Sequence, residues 1–312
     1  METYVIVRIH GLLQHLLGAE DYEDLIDGKG LWEFPEYSHV ESDDDVTTVL
    51  AKIDQVLVKR LEFLSKLESG YRGFVRAFSD RLELGNVKIK LRELHGARER
   101  YDIYTQYSHF VSLEELLGVE EESEFWGLLE ETPYHSVLST KSVLGKSLEF
   151  KEAYLDSCYY AYLKGSLHRH ERRILKELID LESLVPASYW TIVLGEHVMK
   201  TCMKDGILKG FETRLMKSGE FSLRALLEKL GISWDYAKKL IDEGQISLLM
   251  NKALKNHLKR TAAEAGRRQL SPVYVYYYLL LAKYERDNLQ RIVIGRSLEL
   301  DREKIRQALI LL

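Results

Sequence analysis

Residues 51–67 read AKIDQVLVKRLEFLSKL, and their apolar spacing decides the class of fold. Ile53, Val56, Leu57, Leu61, Leu64 and Leu67 recur at intervals of three and four residues, which puts them on one stripe of an α-helix. A strand would need alternation, and no stretch of the chain shows it convincingly. Asp43-Asp44-Asp45 marks a loop before this helix. Downstream, Ser112-Leu113-Glu114-Glu115 is a capping box, in which serine and glutamate satisfy each other's free backbone N–H groups. Thr132-Pro133 and Ser271-Pro272 each set a capping hydroxyl before a proline suited to the first helical position, so both are read as helix starts. Glu149 to Val185 reads as a long helical region, broken at Gly165.

Composition agrees. Of 312 residues only 4 are proline, against about 5% in ordinary proteins. Such a chain lacks the stiff turns of sandwiches and barrels. The prolines read as punctuation: Pro133 and Pro272 at helix starts, Pro186 past the middle of the chain, Pro35 in an early loop. With 46% hydrophobic and 30% charged residues, the expectation is a folded all-α protein. The net charge of −5 gives no global positive field for nucleic acid. Basic runs at 168–173, 255–260 and Arg267-Arg268 have acids nearby or helical spacing and read as solvated faces.

No targeting or membrane-spanning segment is expected. Met1 to Leu17 is interrupted by Arg8, His10 and Gln14 and lacks the apolar core of a signal peptide. The longest apolar run, Val273 to Ala282, covers about 15 Å of helix, half of the ~30 Å hydrocarbon core of a bilayer. Its tyrosines suit a buried, aromatic-packed helix.

Catalytic signatures are lacking. Gly145-Lys146-Ser147 has Thr140 where a phosphate-binding loop needs its first glycine, so it reads as a helix cap or loop. Gly28-Lys29-Gly30 lacks the third glycine of a dinucleotide fingerprint. His168 and His170 are two apart and cannot converge on a metal from one helix face. Cys158 and Cys202 form no metal or disulfide pattern. No catalytic residue, cofactor or metal site is expected.

One weak repeat stands out. Asn86 and Asn288 each follow a glutamate by three residues (Glu83, Glu285) and precede an aliphatic residue (Val87, Leu289). Basic residues come next, Lys88, Lys90 and Arg92 in the first case and Arg291 in the second. Between them, Asp180 and Ser183 repeat the order with serine in place of asparagine. Ser112-Leu113-x-x-Leu116-Leu117 is echoed by Ser222-Leu223-x-x-Leu226-Leu227. Anchors at intervals of about 100 residues suggest three related helical units, much longer than the 20–50 residues of solenoid repeats. The units run over 69–165, 166–262 and 263–312, the last completed by N-terminal helices in 1–68. An acid three residues before an asparagine shares its helix face. Such a pair can fix how a neighbouring helix's backbone crosses, or form a rim presented to partners. Registry is the favoured reading.

These residues resemble a family: the central-stalk C subunits of archaeal A-type ATP synthases, related to the d subunits of vacuolar-type ATPases. Tyr278 to Gly295, YLLLAKYERDNLQRIVIG, is similar to that family's tyrosine-led helix with its Glu-x-x-Asn-Leu-x-Arg-Ile stretch. Asn86-Val-Lys88-Ile-Lys90-Leu91-Arg92 is similar to its Asn-Leu-Lys-x-x-Leu-Arg motif. Thr132-Pro133-Tyr134 after Leu128-Leu129, and Asp21-Tyr22 after the Tyr4–Leu17 opening, also match in order. Departures are Ser183 at the middle anchor, Val185-Pro186 where the family continues a basic helix, and Gly85 before the first asparagine. The resemblance implies a funnel-like body of three similar helical domains about a pseudo-threefold axis. It also implies a non-catalytic rotor adaptor on the cytoplasmic side of the membrane. Its partners would be the membrane proteolipid (c/K) ring and the D and F proteins of the rotor shaft. The competing reading from the residues is a helical scaffold of an unrelated cytosolic complex.

Overall fold

A computed structural model of the protein describes residues 2–67, 70–167, 172–211 and 221–312. They are all-α, with no strand among the described residues. The first helices are α1 (Glu2–Leu13), α2 (Ala19–Asp27), α3 (Val46–Lys66), α4 (Arg72–Ser79) and α5 (Arg81–Leu94). Next come α6 (Leu113–Gly118), α7 (Glu122–Leu129), α8 (Thr140–Leu144), α9 (Leu148–Gly165) and α10 (Arg172–Leu194). The chain continues through α11 (Glu196–Lys204), α12 (Leu223–Lys229), α13 (Trp234–Asp242) and α14 (Ile246–Arg267). It closes with α15 (Pro272–Ser297) and α16 (Arg302–Ala308). Two compact units result: Met1–Arg76 with Leu258–Leu312, here unit 1, and Ala77–His257, here unit 2.

In unit 1, α3 starts where the aspartate run ends, because the Asp45 carboxylate accepts from the Thr48 backbone N–H. Its apolar stripe is buried through Ile53, Val56, Leu57, Leu61 and Leu64. The partner is α15, which is buried along most of its length, including Tyr276, Tyr278, Leu279 and Leu280. Each such fully buried side chain contributes roughly 1.5–3 kcal/mol. Tyr22, Ile26, Leu289, Ile292, Ile305 and Leu309 extend the same core through α2, α15, α16 and the residue that follows α16.

Unit 2 is built on α5, α9 and α10. Ser112 caps α6 in the expected box, and Ser222 caps α12 in the echoed position. The long helical region does stop at Gly165, where α9 ends. Gly145 follows α8, and the Ser147 hydroxyl accepts from the Phe150 N–H to open α9. The Gly-Lys-Ser sequence is therefore a junction between two helices. The basic run at 168–173 lies largely outside the described residues, His168 and His170 included.

Three expectations about punctuation need correction. Thr132-Pro133 does not begin a helix. The Thr132 hydroxyl donates back to the Leu129 carbonyl and accepts from the Tyr134 N–H, so it closes α7, and α8 starts only at Thr140. Pro186 does not separate helices but sits inside α10. Interior proline costs about 3 kcal/mol, and here its neighbours Leu184, Val185 and Ala187 are all buried. Pro272 does occupy the first turn of α15, but the Ser271 hydroxyl donates to Arg268 O and does not cap the helix.

Candidate functional site

The repeated acid–x–x–Asn motif falls on α5 and α15, one in each unit. Glu83, Asn86, Glu285 and Asn288 are all 2% exposed or less, so their polar atoms must be satisfied inside the protein. The aliphatic residues behind them, Val87 and Leu289, are equally buried.

On α5, Asn86 holds both backbone polar groups of one residue, Thr105. Its Nδ2 donates to Thr105 O at 2.8 Å, and Thr105 N donates to its Oδ1 at 2.8 Å. Glu83 accepts backbone N–H bonds from His109 (3.1 Å), Phe110 (2.9 Å) and Val111 (2.5 Å). The segment 105–111 is non-helical and so has no backbone ladder of its own; the motif supplies partners for its N–H groups. Asp80 extends the tether by accepting from the hydroxyls of Tyr107 and Tyr162. Burial pushes the Glu83 carboxyl up to about 7, although the Val111 and Phe110 N–H groups pull the other way.

The second copy, on α15, keeps the asparagine's chemistry and redirects the acid's. Asn288 Nδ2 donates to Ile310 O at 2.9 Å, and Ile310 N donates to Asn288 Oδ1 at 2.8 Å. Glu285 accepts from Leu17 N (2.7 Å), the Tyr37 hydroxyl (2.6 Å) and Arg60 Nη1 (2.6 Å). Arg60 also donates to His15 O at 3.0 Å. Burial disfavours the Arg60 charge, but Glu285 and Tyr37 more than offset it and keep the guanidinium protonated. A second pair beside it, Asp54 with Arg286 at 2.6 Å, also joins α3 to α15.

The middle position has no asparagine and solves the problem differently. Ser183, fully buried, donates to the Asp180 carbonyl of its own helix. Lys164 supplies the tether: its ammonium pairs with Asp180 at 2.8 Å and donates to Ser183 Oγ (3.3 Å) and Gly210 O (2.7 Å). Gly210 lies flat on α9, where a Cβ would overlap the Ser157 carbonyl.

The basic residues of the motif pair locally. Lys88 bridges to Asp156 at 2.6 Å, and Arg92 reaches Asp102 and Glu152, both at 2.9 Å. Arg291 donates to Ala308 O at 2.9 Å. The nine motif residues thus form three separate tethering sites. In the two asparagine sites the held segment is an extended stretch of backbone, not the neighbouring helix that sequence reasoning anticipated.

Arg60, Tyr37, Lys164 and Gly210 were missed from sequence. A signal for Arg60 was present: with Ile53, Leu57 and Leu64 it falls on the apolar stripe of residues 51–67, where a charge demands a buried partner. Nothing comparable marks Tyr37, Lys164 or Gly210.

Among the described residues, no group of three or more His, Cys, Asp or Glu could hold a metal, and no helix is long and apolar enough to cross a membrane. The polar chemistry of the motif is directed at the protein's own backbone and neighbouring side chains. Fold and motif together define an all-helical protein with internally satisfied polar sites. Residues 5–308 match the family model described as ATP synthase (C/AC39) subunit, and the chain belongs to that family. The family is a non-catalytic structural subunit of the rotary ATPase stalk, within the A/V-type ATP synthase complex. No curated protein matches the sequence.

Proposed function

We propose that this protein is the rotor adaptor of an A/V-type rotary ATPase, linking the central rotor shaft to the membrane proteolipid ring. The observation that carries the proposal is the family match over nearly the whole chain, residues 5–308. In this reading the D and F proteins of the shaft dock at one end and the c/K ring at the other. The protein sits on the cytoplasmic side and is peripheral through the ring. Its body is a funnel of three helical units, 69–165, 166–262 and 263–312 completed by 1–68. The packing of Met1–Arg76 with Leu258–Leu312 supports that completion.

The physical requirement is stiffness. Ion translocation supplies about 2.3 kcal/mol per charge per 100 mV, and an adaptor that deforms under load dissipates it. Close-packed helices transmit strain well. The motif residues Glu83, Asn86, Lys88, Arg92, Asp180, Ser183, Glu285, Asn288 and Arg291 act in this reading as internal registry. They tie irregular segments to the helices, and their bonds to backbone and to neighbouring side chains support that role over a partner-facing rim.

The test is a pull-down from native membranes with mass spectrometry of the co-eluting proteins. Proteolipid and shaft proteins are expected together, and the isolated chain is expected to hydrolyse no ATP. Robust hydrolysis by the isolated chain, or its absence from the purified rotary ATPase, would sink the proposal.

A further inference from the structure

The α5 copy of the motif has a neighbour that the α15 copy lacks. Asp80 stands three residues before Glu83, where α15 has Ala282 before Glu285. Asp80 and Glu83 share a helix face, and both are 1% exposed or less. His109 touches each of them. Its backbone N–H donates to Glu83 at 3.1 Å, and its ring Nδ1 lies 3.0 and 3.1 Å from the two Asp80 oxygens. An ionised carboxylate only accepts, so Nδ1 carries the hydrogen that points at Asp80.

Two buried carboxylates on one face need a counter-charge or a proton. The cations of the surrounding helices have other partners. On α5, Arg81 pairs with Glu182, Lys88 with Asp156 and Arg92 with Asp102 and Glu152, while Lys90 donates to Leu117 O. On α9, Lys151 pairs with Glu122 of α7, and Lys164 with Asp180. α6 adds only Glu114 and Glu115, both exposed. Asp80 also accepts from the hydroxyls of Tyr107 and Tyr162, which are neutral donors. Among the described residues, the His109 imidazole is therefore the one base that faces Asp80, and imidazole is the side chain that changes charge near neutral pH.

Glu83 has a place for a proton. The Tyr134 hydroxyl lies 3.1 Å from Asp80 O and 3.3 Å from Glu83 Oε2. When Glu83 is ionised, the hydroxyl donates to it. When Glu83 is protonated, Oε2–H donates to Tyr134, and the hydroxyl turns to Asp80 O. In both states Oε1 keeps the Phe110 and Val111 N–H bonds. Burial and then the Asp80 charge push the Glu83 carboxyl up to about 7, against the pull of those two N–H groups. We propose that Asp80, Glu83 and His109 form one coupled proton-binding site, with His109 as the counter-charge of Asp80 and Tyr134 as the partner of the Glu83 proton. Proton release puts a full charge on the acceptor of the 109–111 N–H groups and removes the charge pair between His109 and Asp80, so pH sets how this segment is anchored. The site lies within unit 2 and is independent of the rotor reading.

Amide shifts of the full chain, followed by nuclear magnetic resonance across the neutral pH range, test it. The His109, Phe110 and Val111 amides are expected to titrate together, with a common midpoint near 7. Amides that stay constant through that range would overturn the proposal. In Asp80→Asn, which keeps an acceptor for the tyrosines but removes a negative charge, the midpoint is expected to fall by roughly one pH unit. In His109→Gln, Asp80 loses its counter-charge, and the Val111 midpoint is expected to rise by a similar amount. A purely structural role for either residue would leave the midpoint where it is, and an unmoved midpoint in His109→Gln would overturn the coupling. If Asp80→Asn does not fold, the direction of the shift in His109→Gln decides.

Discussion

The same four-residue motif occurs on α5 and α15, and the two copies use their acids in opposite ways. Glu83 is surrounded by neutral donors: three backbone N–H groups and, at 3.3 Å, the Tyr134 hydroxyl. Glu285 has one backbone N–H, one tyrosine hydroxyl and a full guanidinium charge. An ionised carboxylate buried among neutral dipoles is desolvated without a counter-charge, and its affinity for protons rises. One that faces Arg60 forms a buried ion pair, where loss of either partner strands a charge. The asparagines, by contrast, do identical work, each matching the backbone N–H and C=O of one residue, Thr105 or Ile310. A short polar motif therefore constrains geometry at its amide and leaves the role of its acid to the surroundings.

The largest test of this difference is Glu285→Ala. It removes the nearest counter-charge of the Arg60 guanidinium, 8% exposed, leaving only the half-exposed Glu36 at 3.8 Å, and is expected to cost about 3–5 kcal/mol in urea denaturation. The double variant Glu285→Ala with Arg60→Met is expected to recover part of that loss. A cost below that of an ordinary buried hydrogen bond would break the assignment of Glu285 as an ion-pair partner.

A pH titration of stability sharpens the same contrast. Glu83 has its folded-state value raised to about 7 from 4.5, so the folded state holds the proton more tightly than the unfolded one. Its contribution is fully present below about 4.5 and is lost as pH rises through about 7, a loss on the order of 3 kcal/mol. Glu83→Gln is expected to flatten that part of the profile. On α15, Asp287 behaves in the opposite sense. Burial opposes its charge, but Lys283, Arg286 and Arg291 overcome this and hold its carboxyl below the ordinary range. Its contribution is present above the ordinary aspartate value and is lost on acidification through the depressed one. Asp287→Asn should remove an acid-side loss and leave the neutral side of the curve in place.

Gly210→Ala tests the middle tether. The new methyl would meet the Ser157 carbonyl, so the 209–211 turn must move off α9, at an expected cost of about 1–3 kcal/mol. Thermal unfolding should register it, and an unchanged midpoint would show that this contact is not close-packed. Asn86→Ala should cost about 1–3 kcal/mol through the two unsatisfied groups it leaves on Thr105. The smallest effect is expected from Arg302→Ala. Its pair with Asp27 has side chains more than half exposed, and such pairs contribute ~0–1 kcal/mol.

Much of the helical framework was legible in the sequence. The stripe in residues 51–67 and the capping box at Ser112 act where local reasoning put them, while Asp45 and Ser222, read only as a loop marker and a repeat echo, cap helices as well. The misreadings concern hydroxyls and a proline that can act at either side of a helix end: Thr132 and Ser271 bond back to the preceding turn instead of capping the next helix, and Pro186 lies in a helix interior. The candidate site was half legible. Spacing located Glu83, Asn86, Glu285 and Asn288 on shared faces, but it could not say that each asparagine would hold an extended strand of backbone roughly 20 residues away.

Periodicity, capping and proline scarcity were enough to establish an all-α chain with repeated polar anchors, because helix faces and helix ends are set by neighbours within about one turn. Which anchor met a charge and which met backbone depended on Arg60, Tyr37, Lys164 and Gly210, all remote in the chain from the residues they serve. A buried polar group must find its partner in whatever the packed core brings near, and that neighbourhood exists only once the helices have assembled.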